Sequence, residues 1–173
     1  MAILALVLGG GLVASARGGE PTWPDIRRRI AENYPLVVSL TTADLARWLD
    51  DARRQPPVLI DVRSREEYDT SHLAGALWAE TRSQLTDVLT GLPRDRPIVL
   101  YCSVGWRSAQ AAEQLRKARG KDVFNLDGSI FQWANEGRPL VRADNGTAHT
   151  VHPYNRSWGA LLDRRLWSHD PSS

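Results

Sequence analysis

At 173 residues the chain is long enough for one domain with a sizeable core, and its 42% hydrophobic and 24% charged content excludes a largely disordered protein. A formal net charge of only +2, with no concentrated basic face, argues against nucleic-acid binding, which needs clustered cations to release counterions. The single cysteine excludes an intramolecular disulfide, so stability must come from the core.

Ala2 to Val13 is apolar and uncharged and is followed by Ala14-Ser15-Ala16. The run is too short for an ordinary membrane span. A short apolar run closed by a small-x-small site is the pattern of a secretory signal peptide, with cleavage after Ala16. No Lys or Arg precedes the run, so an uncleaved anchor, a start set inside a longer leader and a chance apolar tail stay as alternatives. Residues 1–16 are therefore expected to be a signal peptide or short N-terminal anchor. The protein is expected to be exported, periplasmic or extracellular, without stable membrane insertion once the leader is removed. A cytoplasmic or membrane-tethered location is the alternative.

Residues 17–35 read as a linker and an N-terminal helix over Pro24 to Asn33, with Ile26 and Ile30 as its apolar stripe. Leu36 to Leu40 is a strand candidate. Thr41-Thr42 then caps a helix to about Asp51 that turns Leu45, Trp48 and Leu49 inward. After Pro56-Pro57, Val58 to Ile60 is a buried strand ending at Asp61. Groups at the carboxyl ends of strands in an open α/β sheet face the ligand crevice, so Asp61 and Arg63 are candidates to border a pocket. The alternative is a structural ion pair. Ser64 to Tyr68 starts a helical turn with Glu67 at the capping-box position. Leu77-Trp78 is a short strand and Ser83 to Leu89 a helix.

Ile98 to Tyr101 is a short apolar run bounded by Pro97, as a buried strand would be. From Ser108 the apolar positions Ala111, Ala112, Leu115 and Ala118 change to helical spacing, and Gly120 is a stop signal. The only cysteine, Cys102, thus lies where a strand ends and a helix begins. A thiol there meets unpartnered N–H groups and the positive end of a helix dipole, close to Arg107, and its thiolate is favoured. A loop curled over one sulfur aims backbone N–H groups inward, and Gly105 suits the curl. The competing account is that Cys102 is a small buried hydrophobe. Val123 to Leu126 is the last strand, Asp127-Gly128 a turn and Ile130 to Asn135 a short helix. Strands alternating with helices imply an α/β domain with a mostly parallel sheet.

Three segments in order carry a resemblance. Cys102-Ser103-Val104-Gly105-Trp106-Arg107-Ser108 resembles the active-site loop of the rhodanese sulfurtransferases. Asp61-Val62-Arg63-Ser64-Arg65-Glu66-Glu67-Tyr68 with His72-Leu73-Ala74-Gly75-Ala76 resembles the family's first signature. Val123-Phe124-Asn125-Leu126-Asp127-Gly128-Ser129 with Trp133, Gly137 and Pro139 resembles the second. The resemblance implies a rhodanese-like fold over residues 36–142, with a mostly parallel five-stranded sheet flanked by helices, and leaves 143–173 as a C-terminal extension. Two positions depart from the pattern. Ser71 precedes His72 where the family usually has glycine. Ser129 stands where a second glycine is common, and fits only if the backbone there avoids positive φ.

The resemblance implies a sulfurtransferase in which Cys102 carries a persulfide. The N–H groups of Ser103, Val104, Gly105, Trp106 and Arg107 would stabilise it. Arg107 would bind the sulfonate of a donor such as thiosulfate, and Trp106 would either wall the pocket or cap the loop from outside. The acceptor would be a thiol or cyanide; no metal and no cofactor is expected. A single thiol has no resolving partner in its own chain, so another molecule must discharge it. Four residues separate Cys102 from Arg107, one fewer than in phosphatases and arsenate reductases of this fold. The longer loop fits a tetrahedral oxyanion and the shorter one a sulfur atom, so such an oxyanion enzyme stays only as an alternative. A non-catalytic partner-binding module, which the apolar C-terminal stripe would favour, is the other.

In the extension, His149 and His152 lack a third ligand for a metal. The sequences at Asn145 and Asn155 match a glycosylation pattern short enough to arise by chance. Trp158, Leu161, Leu162, Leu166 and Trp167 form an apolar stripe, expected on a helix. It either packs back on the domain or docks a protein partner or protein sulfur acceptor.

Overall fold

The computed structural model describes residues 20–171 apart from residue 121. The expected leader at residues 1–16 lies outside these residues. Helix α1 (Trp23–Asn33) begins with Thr22 as its cap and Pro24 in its first turn, and buries Ile26 and Ile30. Strand β1 (Ser39–Leu40) leads into α2 (Thr42–Asp50), capped by Thr41. Strand β2 (Val58–Asp61), α3 (Arg65–Thr70), β3 (Leu77–Trp78) and α4 (Arg82–Thr90) follow. Next come β4 (Ile98–Tyr101), α5 (Trp106–Arg119), β5 (Val123–Leu126) and α6 (Ser129–Asn135).

The strands pair in the order β1-β5-β4-β2-β3, every neighbour parallel. The apolar runs of β2 and β4 are buried throughout, as a strand covered on both faces must be. Alternation splits them between two cores. Leu59, Val99 and Tyr101 join Ile26, Ile30, Leu45, Trp48, Ile130 and Phe131 from α1, α2 and α6. Val58, Ile60, Ile98 and Leu100 join Ala112 and Leu115 of α5, with Leu85 and Val88 of α4 against them. β4 is thus the central strand. Its carboxyl end, flanked by β5 and β2, is where Cys102 emerges.

Several boundaries differ from the sequence expectation. β1 is two residues long; ahead of it Val38 only lends its carbonyl to the Asn125 N–H at 2.9 Å, and Leu36 and Val38 are 53% and 40% exposed. Leu49 points outward at 39% exposure, since Thr42, Leu45 and Trp48 already fill the inner face of α2. Helix α5 starts two residues early, at Trp106, with Gly105 at its N-cap.

After α6 the chain makes an antiparallel hairpin of β6 (Leu140–Val141) and β7 (Thr147–Ala148), then helix α7 (Arg156–Gly159) and a 3-10 turn over Arg164–Leu166. The apolar stripe therefore is not one helix. It nevertheless packs back: Val151 and Leu162 are buried, and Trp158, Leu161, Leu166 and Trp167 lie against the α1, α2 and α6 core. No helix among the described residues is long and apolar enough to cross a membrane.

Candidate active site

Cys102 is 1% exposed and opens a four-residue loop between β4 and α5. The loop curls because Gly105 takes φ +102°, where any Cβ would meet the Leu126 carbonyl oxygen at 3.4 Å and the Asn125 amide at 3.6 Å. That turn aims the Gly105 N–H at the Cys102 sulfur, 3.2 Å away. The first turn of α6 holds the other side of the loop. The N–H of Ile130 donates to the Cys102 carbonyl at 3.2 Å, and that of Phe131 to the Ser103 carbonyl at 3.1 Å. A helix start with no side-chain cap thereby satisfies its free donors, and the loop carbonyls turn away from the sulfur.

Burial pushes the Cys102 thiol up. The charge of Arg107 and the N–H groups of Ser108 and Gly105 more than offset this, and the net shift is downward. Ser108 is itself fully buried and donates its hydroxyl to Asn125 Oδ1 at 2.7 Å.

The fork of Arg107 is closed on Glu67, Nη1 to Oε2 at 2.9 Å and Nη2 to Oε1 at 2.8 Å. Nη2 also donates to the Ser103 hydroxyl at 2.9 Å, which in turn donates to Glu67 Oε1 at 2.8 Å. The arginine expected to grip a donor's sulfonate thus has its planar edge engaged within the protein, and bears on Cys102 through its charge. Burial pushes the Glu67 carboxyl up, but Arg107, Arg63 and the Ser64 N–H bring it down to about 2.

Asp61 and Arg63 do not border an open pocket. Both are fully buried, and they pair at 2.7 to 2.9 Å through two prongs. Arg63 also donates to the Ser71 carbonyl at 2.6 Å, which ties the end of α3 to the sheet and so fixes the helix that carries Glu67. Trp106 is half-buried, edge-on to Tyr34 with ring centres 5.1 Å apart, and pins the start of α5 to the end of α1. Val104 is buried in the core. His72 is structural, stacked on Tyr68 at 3.8 Å with Nδ1 2.9 Å from the Tyr68 carbonyl.

Ser129 overturns its expectation, since it adopts φ +49°. The conformation is held by what its buried hydroxyl does: it donates to the Leu126 carbonyl at 3.0 Å and accepts the Cys102 N–H at 3.1 Å. A hydroxyl replaces glycine's freedom with two hydrogen bonds, one of them to the cysteine itself.

A sequence model of the Rhodanese-like domain matches residues 41–136. The chain belongs to the rhodanese-like family. The sulfurtransferase of Allochromatium vinosum is 31% identical over 107 residues, 61% of this chain and 96% of its own. The probable adenylyltransferase/sulfurtransferase MoeZ of Mycobacterium tuberculosis is 39% identical over 102 residues, 58% of this chain but only 26% of MoeZ. The chain thus spans about a quarter of that relative's length. A solved rhodanese-like domain protein from Staphylococcus aureus superposes with a TM-score of 0.51 at 28% identity, covering 61% of this chain and 98% of that one. Sulfur transfer is the class of chemistry that this rhodanese-like membership supports.

Within the rhodanese-like loop, sequence reasoning placed Cys102, Gly105 and Arg107 together and missed Glu67, Asn125 and the use of the Ser108 and Ser129 hydroxyls. Glu67 was legible only as a cap, because a capping box explains an acid at that position completely. The one available signal was that a buried arginine beside a thiolate needs a counter-charge.

Proposed function

We propose that this protein is a thiosulfate-type sulfurtransferase working through a persulfide on Cys102. The thiolate attacks the outer sulfur of a donor such as thiosulfate. A new sulfur–sulfur bond forms, the donor's own sulfur–sulfur bond breaks, and its electron pair leaves with sulfite. An acceptor nucleophile then attacks the terminal sulfur and returns Cys102 to the thiolate. A thiol acceptor leaves as a persulfide and cyanide as thiocyanate.

The observation that carries this reading is the convergence on one sulfur of the Gly105 N–H, the Ser108 N–H and the Arg107 charge, at the end of the central strand. Such donors are fixed before reaction and stabilise anionic sulfur without reorganising. The downward shift of the thiol favours the thiolate as the attacking form. The closed Arg107–Glu67 pair leaves donor recognition to the loop N–H groups and not to the guanidinium fork.

Intact mass of the purified chain after incubation with thiosulfate, then with cyanide, tests the reading. The expected result is a gain of one sulfur atom, lost with cyanide and absent in Cys102→Ser. No gain in folded, reduced protein would remove thiosulfate as donor; a gain that survives Cys102→Ser would remove Cys102 as its carrier. The same spectrum reads the N terminus, which cleavage after Ala16 would place at Arg17.

A further inference from the structure

Beyond the segment matched by the rhodanese-like family, the C-terminal residues return across the domain and are tied down at several points. His72 and Val141 exchange backbone hydrogen bonds of 2.8 and 3.0 Å. The Val151 N–H donates to Leu166 and its carbonyl accepts from Ser168, at 2.7 and 3.0 Å. The Asn135 side chain donates to the Leu161 carbonyl and accepts the Asp163 N–H, both at 2.8 Å. Val151 and Leu162 are buried in the core. Between these anchors one residue behaves differently. Tyr154 has φ +66°, which disfavours a bulky side chain, and is 43% exposed, so its ring contributes little to the core. That ring lies over the guanidinium of Arg107, whose Cζ is 4.7 Å from the ring centre.

We propose that Tyr154 is a positioning residue of the active site, its ring covering the face of Arg107 and holding the guanidinium closed on Glu67 beside the Cys102 loop. The division of contacts carries the proposal. Glu67 and Ser103 take the edge of the guanidinium, and a planar cation held only at its edge is free to tilt toward water from its open face. Tyr154 occupies that face. A backbone held at positive φ to deliver an exposed ring to one cation is explained by that delivery and not by packing.

The consequence reaches the sulfur by electrostatics. Cys102 faces the Arg107 cation from α5, and Arg107 faces Glu67 from α3. Glu67 in turn is faced by Arg63 after β2 and by His152 of the C-terminal segment. With the ring removed, water reaches the guanidinium, screens its charge, and the Cys102 thiolate loses part of its support.

The proposal rests on Cys102 being the reacting thiol, and it is tested without sulfur transfer. The rate of Cys102 alkylation by iodoacetamide is measured against pH in the full chain for wild type, Tyr154→Phe and Tyr154→Gly, with thermal unfolding alongside. Glycine relieves the positive φ, so Tyr154→Gly is expected to unfold no lower than wild type while its alkylation midpoint moves up. At neutral pH its rate should fall by about threefold or more, as loss of a cation–ring contact of this kind predicts. Tyr154→Phe keeps the ring and should keep the wild-type profile. A folded Tyr154→Gly with the wild-type profile overturns the proposal, as does a Tyr154→Phe that loses as much as glycine does. If alkylation follows the expectation but no donor loads Cys102, sulfur transfer falls and the placement of Tyr154 stands.

Discussion

Glu67 and Arg107 stand 40 positions apart in the chain and meet in a two-pronged ion pair at 2.8 and 2.9 Å. The same carboxylate accepts the Ser64 N–H at 3.0 Å, closing the capping box of α3, and the Ser103 hydroxyl at 2.8 Å. One buried acid therefore joins the start of a short helix to the loop that carries Cys102. The loop is held from two other elements: Glu67 of α3 accepts the Ser103 hydroxyl, and Ser129 of α6 accepts the Cys102 N–H.

Glu67→Gln should be strongly destabilising. It leaves Arg107 largely buried without its counter-charge, a change that costs about 3–5 kcal/mol. Urea unfolding checks this through the shift in midpoint at unchanged slope. A loss under about 1 kcal/mol would mean that the pair behaves as an exposed one.

The acid limb of stability should carry the signature of the same residue. Its carboxyl sits at about 2 in the folded protein against an ordinary 4.5, so the folded state favours the ionised form. That stability is fully present above 4.5 and is lost as pH falls from there through about 2. The amount is about 3 kcal/mol. Unfolding free energies of wild type and Glu67→Gln, measured from neutral pH into acid, should converge across that window.

Ser129 separates backbone strain from hydrogen bonding. Ser129→Ala keeps the positive φ and removes both hydrogen bonds, leaving the buried Cys102 N–H unpaired, at about 1–3 kcal/mol. Ser129→Gly loses the same bonds but relieves φ, and should cost less. Thermal unfolding of the two variants gives the order; alanine proving the more stable would show that the strain is negligible.

How much of this was legible in the sequence follows from the range of each interaction. Apolar runs such as Ile98 to Tyr101, and caps such as Thr41 and Ser64, act over a few residues, so element order and the parallel sheet could be read directly. The loop motif placed Cys102 correctly for the same reason. The partnerships that shape the site span long separations, Glu67 with Arg107 and Ser108 with Asn125, and no local period marks them. Ser129 misled because a local rule about positive φ was outweighed by contacts made at a distance. The helix expected over the C-terminal stripe failed otherwise: Gly159 packs so closely on Trp167 that a Cβ there would sit 2.5 Å from the ring, and the chain turns at that point.

Ser108→Ala should cost stability while leaving the thiolate near its wild-type state. The hydroxyl gives its proton to Asn125 Oδ1, and the Ser108 N–H that serves the sulfur remains, so the alkylation midpoint of Cys102 should stay close to that of wild type. Losing the buried partner of Asn125 should lower the unfolding free energy by about 1–3 kcal/mol. A midpoint raised toward that of an ordinary thiol would show that the hydroxyl serves the sulfur instead.

Truncation before Ala148 should damage the domain and not merely trim it. The cut removes Val151 and Leu162, at 0% and 3% exposure, together with Trp158, Leu161, Leu166 and Trp167, which pack against the same core. Loss of even one fully buried aliphatic side chain costs about 2–5 kcal/mol, against a total stability of about 5–15 kcal/mol for a domain. The truncated chain should therefore lose its cooperative thermal transition. A truncated chain that melts as wild type does would show that the segment lies on the domain without supporting it, and the ring of Tyr154 over Arg107 would then need another anchor.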